Sequence, residues 1–144
     1  MPDPISLTQA NAIIEVALEK AAEMKLKPLT VAVLDAGGHL KALARQDGTS
    51  TLRPEMAQGK ARGAIALGLG SRALFQRAQE QPFFIQAVNA LCDGSLVPVP
   101  GGVLVRDAAG VIVGAVGITG DTSDHDEACA IAGIEAAGFE ADPG

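Results

Sequence analysis

Apolar side chains at Leu7, Ala10, Ile13, Ile14, Ala17, Leu18, Ala21 and Ala22 recur at helical spacing, predicting a helix from Ser6 or Thr8 to about Lys25 that Pro28 terminates. The pattern then shortens to strand length, with strands over about Leu29–Leu34 and His39–Gln46 around a Gly-rich turn. Asp47-Gly48-Thr49-Ser50 carries turn and cap chemistry ahead of a second helix, about Arg53–Leu69, with Pro54 in its first turn. One face of that helix, Ala57, Ala61, Ala64 and Gly68, is so small that another element is expected close against it. Gly68-Leu69-Gly70 breaks the pattern, Ser71 is expected to cap a shorter helix through about Glu80, and Pro82 opens another to about Leu91. After an irregular stretch from Val97, strands are expected at about Gly102–Arg106 and Val111–Ile118. A last helix is expected at about His125–Ala137.

One phrase occurs twice. Val33-Leu34-Asp35-Ala36-Gly37-Gly38 returns 72 residues later as Val105-Arg106-Asp107-Ala108-Ala109-Gly110, each copy flanked by apolar runs. Aspartate bonds its own backbone where a turn starts, and glycine supplies the positive φ that closes it, so both copies predict β-hairpins. Tightly paired strands with helices before, between and after them give an α+β domain, one antiparallel sheet with helices packed on it. A parallel doubly wound sheet suits such short connections less well. The 144 residues are expected to form one domain, 1–144, long enough to bury a core without staples.

Charge and cysteine content narrow the partners. A net charge of −6 opposes nucleic-acid binding, although Arg53, Lys60, Arg62, Arg72 and Arg77 gather in one segment and leave room for a local anion site. Met1–Ser6 lacks a basic n-region and an apolar h-region, so no signal peptide is expected, and no apolar run has the length of a membrane span. Cys92 and Cys129 have no CxxC or zinc spacing, and Cys129 sits among alanines as a small core residue would. A cytoplasmic protein is the expectation.

Several segments carry candidate chemistry. Gly117-Ile118-Thr119-Gly120 precedes a helix but matches no phosphate-binding fingerprint, and Asp121, Asp124 and Asp126 beside it would repel an anion. These acids, with Glu127, suit a helix start better than a metal loop. His39 follows the first turn directly, titrates near neutrality and is the candidate metal or iron ligand, while Asp35 and His39 are the candidate acid–base pair. Arg53 and Lys60 stand seven residues apart, two turns along one helix face, and with Glu55 they are the candidate ligand-binding group for carboxylates.

The stretches Val33–His39, Arg53–Ala61, Gly101-Gly102-Val103, Gly114–Gly120 and Asp124–Ala128, in that order, resemble the GlcG/HbpS haem-binding family. The same domain is similar to the C-terminal part of some PduO-type cobalamin proteins. The resemblance spans essentially the whole chain. It implies a profilin-like layer of about five antiparallel strands flanked by helices, a homo-oligomer, and a role in haem binding or degradation. It also implies His39 as axial ligand, with Arg53 and Lys60 as propionate partners. The competing expectation is an isomerase or lyase acting on a small carboxylated metabolite, which requires Asp35, His39, Arg53 and Lys60 to converge.

Overall fold

The computed structural model describes residues 3–144; Met1 and Pro2, where the segment expected to lack a leader begins, lie outside the described residues. Helix α1 (Leu7–Glu23) starts on a capping box in which Ser6 Oγ accepts from the Gln9 N–H and Gln9 Oε1 accepts from the Ser6 N–H. Strands β1 (Thr30–Asp35) and β2 (Leu40–Arg45) follow, then helices α2 (Arg53–Leu67), α3 (Ser71–Glu80) and α4 (Pro82–Leu91). The chain closes with β3 (Gly102–Arg106), β4 (Ile112–Thr119), helix α5 (Ser123–Ala136) and a short β5 (Glu140–Asp142). All neighbouring strands are antiparallel, in the order β2-β1-β4-β3-β5, which is the expected α+β sheet of five strands.

Alternation along the strands divides the core. Val31, Val33, Val103, Val105, Val116 and Ile118 face α1 and α5, whose Ile13, Ala17, Ala130 and Ile134 complete one buried cluster. Leu34, Leu104 and Ala115 face the other way, against Ala61 and Ala64 of α2. Each buried valine or leucine contributes about 1.5–3 kcal/mol, so both faces of the sheet hold the fold. A third cluster, Leu74, Ile85 and Leu96, ties α3 and α4 to the loop before β3.

The repeated phrase forms the same turn twice. Asp35 Oδ1 accepts from the N–H groups of Gly37 and His39, and Asp107 Oδ1 from those of Ala109 and Val111. Gly38 and Gly110 both stand at φ 81°, which L side chains rarely adopt. The register shifts at the same place in each hairpin, between Val33 and Leu34 and between Val105 and Arg106. Both turns lie at one end of the sheet, because β1 and β4 pair with Asp35 opposite Gly114.

The small face of α2 packs as expected through Ala57, Ala61 and Ala64, and a Cβ on Gly117 of β4 would overlap the Ala57 carbonyl oxygen. Gly68 plays a different part: at φ 67° it caps α2 instead of packing against a neighbour. Ser71 does not cap α3; Gly70 occupies the cap, and Ser71 Oγ accepts from the Gly102 N–H at 2.7 Å. The three residues of β5 carry no apolar alternation, and they pair with β3 at the sheet edge.

Candidate functional site

At the hairpin end, the His39 side chain is 83% exposed and its Nδ1 stands 3.4 Å from Asp35 Oδ1. The His39 and Gly37 amides and the charges of His39 and Lys41 hold the Asp35 carboxyl below its usual range, outweighing the opposing effect of partial burial. Asp35 therefore stays ionised, which suits it to orient the imidazole and makes it a weak proton acceptor. A proton placed on Nδ1 would face the carboxylate across this 3.4 Å contact and leave the Nε2 lone pair free. Leu40 and Val111 are also exposed in these two turns.

Arg53 and Lys60 occupy the opposite end, where Thr30 of β1 pairs with Thr119 of β4. Five steps along β1 separate Thr30 from Asp35, about 17 Å. Arg53 Nη1 donates to Thr119 Oγ1 at 2.6 Å and its Nε to Ser50 Oγ at 3.1 Å. Lys60, expected to face a ligand, is only 2% exposed: its Nζ donates to the Ile118 carbonyl at 2.8 Å and meets Asp126 Oδ2 at 3.4 Å. Asp126, 1% exposed, also accepts from the Asp121 N–H through its other oxygen. Burial pushes Lys60 down and Asp126 up from their ordinary ranges, and their mutual attraction opposes both shifts. Lys60 is thus a buried cation joining α2, β4 and α5, and no convergence of Asp35, His39, Arg53 and Lys60 forms within one chain.

The acids before and within the last helix divide their work. Thr122 Oγ1 caps α5 by accepting from the His125 N–H, and His125 Nδ1 lies 2.7 Å from Asp121 Oδ1. Asp121 also accepts from the Lys27 and Thr122 N–H groups, and these bonds bring its carboxyl down to about 2. Arg72 pairs with Asp124 and Glu127, which removes it from the set of free cations. Cys129 is buried, and burial raises its thiol to about 11.

Glu55 lines a cleft of about 340 Å³ between the outer face of α2 and the loop after α4. Leu52, Met56, Gln58, Gly59 and Arg62 share the helix side, and Gly94, Ser95 and Val97 form the other wall. Arg53 and Lys60 are not among the lining residues. The sequence reading missed this grouping, although Glu55 and Met56 lie three and four residues after Leu52, Gly59 lies four and three residues after them, and Arg62 three after that. That stripe was the signal available, and only the loop wall was beyond reach.

Comparisons with known proteins bear on the whole chain. The profile of a family described as haem degrading protein HbpS-like matches residues 5–135. The sequence matches none of the curated proteins. Among solved structures, a PduOC:heme complex is similar with TM-score 0.84 and 23% identity, covering 95% of this chain and 97% of that one. The Klebsiella pneumoniae protein ORFY has TM-score 0.84 and 21% identity over 96% of this chain and 94% of its own. HbpS has TM-score 0.80 and 26% identity over 94% and 92%.

Proposed function

Because the chain belongs to the haem degrading protein HbpS-like family, we propose that it binds haem, with His39 as the iron ligand. The observation that carries this reading is the exposed imidazole backed by the Asp35 carboxylate, an arrangement that frees Nε2 for a metal. The second turn supports it: Val111 stands where His39 does, with the same backbone bonds, so the turn itself has no need of a histidine. Lys41, close enough for its charge to act on Asp35, is the cation available to a propionate. Arg53 and Lys60 are removed from that role by their place at the far end of the sheet. Haem held here would supply a redox-active, Lewis-acidic iron. The protein's own residues contribute ligation, ring orientation through Asp35 and a charge partner.

The same reading makes the protein a cytoplasmic homo-oligomer. Phe83 and Leu91 of α4 are 71% and 84% exposed, and covering them with a second copy removes apolar surface from water. Both cysteines are free, as in a reducing compartment. No helix among the described residues is long and apolar enough to cross a membrane.

Hemin titration followed by absorption tests the proposal. The expected result is a saturable Soret shift that His39→Ala abolishes and His39→Val abolishes equally. A shift unchanged in both variants would remove His39 as ligand, and no shift in the parent protein would remove haem. Light scattering is expected to give a mass above that of one chain.

A further inference from the structure

The cleft along α2 is independent of His39 and has a chemistry of its own. Its walls are apolar at Leu52, Met56 and Val97, and its volume of about 340 Å³ lies in the range of small-ligand sites. Two opposite charges stand on the helix side. Neither Glu55 nor Arg62 takes part in an ion pair or side-chain hydrogen bond among the described residues, whereas Arg72, Arg106, Lys60, Asp126 and Glu127 all do. Glu55 and Arg62 are seven residues apart, so they lie on one stripe with Cα atoms about 10 Å apart along the axis. That separation keeps them from neutralising each other. Gln58, between them in the cleft, donates to the Pro54 carbonyl through Nε2 and keeps its Oε1 for a ligand.

We propose that this cleft binds a linear zwitterion with an apolar middle, of the ω-amino carboxylate class. Its ammonium pairs with Glu55, its carboxylate takes the two-donor fork of Arg62, and its methylene chain lies over Met56, Leu52 and Val97. Recognition at both ends sets length as well as charge. A molecule bearing only one of the two charges leaves the other cleft residue unanswered. The site rests on α2 alone among the helices, so it is separate from the haem reading and stands or falls without it.

The probe is ε-aminocaproate, compared with caproate and hexylamine by amide chemical-shift titration of the full chain. The expected result is saturable binding of the zwitterion, with shifts at Glu55, Met56, Arg62 and Ser95, and at least about tenfold weaker binding of either single-charge compound. Glu55→Gln and Arg62→Gln each weaken the zwitterion by about tenfold and leave hemin binding unchanged. Arg62→Glu turns the cleft into a site with two carboxylates and reverses the preference, so that hexanediamine binds better than ε-aminocaproate. The proposal is overturned if caproate or hexylamine binds as well as the zwitterion, if the shifts map outside the cleft, or if Arg62→Glu leaves the preference as it was. Because Glu55 and Arg62 are both exposed, the variants test the cleft without testing the fold.

Discussion

The two ends of the sheet use aspartate in opposite ways. At the hairpin end, Asp35 and Asp107 each bind two amides of their own turn. At the other end, Asp126 is buried, and it meets a lysine from another helix and a single amide. The first arrangement is local and holds a shape that five residues define. The second is long-range and holds three elements in register, with a charge in the interior that depends on its partner. A side chain attached to the local device can vary without disturbing the fold, as Val111 and His39 show. Lys60 has no such freedom.

This contrast can be broken or sharpened by substitution. The largest effect is expected from Asp126→Ala, which leaves Lys60 as an uncompensated buried cation and costs about 3–5 kcal/mol in denaturant unfolding. Combining it with Lys60→Met is expected to restore most of that loss, since no charge is then stranded. A cost under about 1 kcal/mol for the single change would erase the distinction between the ends. At the hairpin end, Asp35→Ala and Asp107→Ala each remove two charge-assisted bonds from exposed turns and should cost about 1–2 kcal/mol. The two costs are expected to agree within about 0.5 kcal/mol; a marked inequality would mean the turns are alike only in outline.

Acid gives a smaller, graded test. Asp121 is held at about 2 by the Lys27 amide, His125 and the Thr122 amide, and Asp35 lies below the ordinary range through the His39 and Gly37 amides. The Asp121 contribution is complete above about pH 5 and is lost as pH falls toward about 2, and that of Asp35 falls with acid in the same direction. A melting temperature that falls across that interval, and by less in Asp121→Asn, is the expected outcome. The smallest effect belongs to His39→Val, which copies the second turn and should change stability by no more than about 0.5 kcal/mol while abolishing hemin binding.

The same contrast explains what could be read from the chain. The turns were legible because Asp35 with Gly38 and Asp107 with Gly110 act within five residues, and the repeat announces itself. The elements before β5 followed from periodicity, caps and turns, with ends within about two residues of the observed ones, whereas β5, without an apolar pattern, was not located. Lys60 was misplaced because its spacing from Arg53 shows a shared face and says nothing of what covers that face. Its partner Asp126 lies 66 residues on, in a run of acids that all look like helix-start residues. Glu55 was grouped with Arg53 and Lys60, whereas the cation that shares its cleft is Arg62 and Arg53 is turned toward Thr119. The loop wall from Gly94 to Val97 carries no motif, so the cleft needed the fold to become visible.

Helix α2 sits so close on Gly117 that its inner surface has no tolerance left. Ala57, Ala61 and Ala64 are fully buried there, and Lys60 is tied by its partner. Change along α2 is therefore tolerated on its outward side, where Glu55, Met56 and Arg62 line the cleft. Descendants of this protein could remodel the cleft by changing a few outward residues, with the scaffold inherited intact.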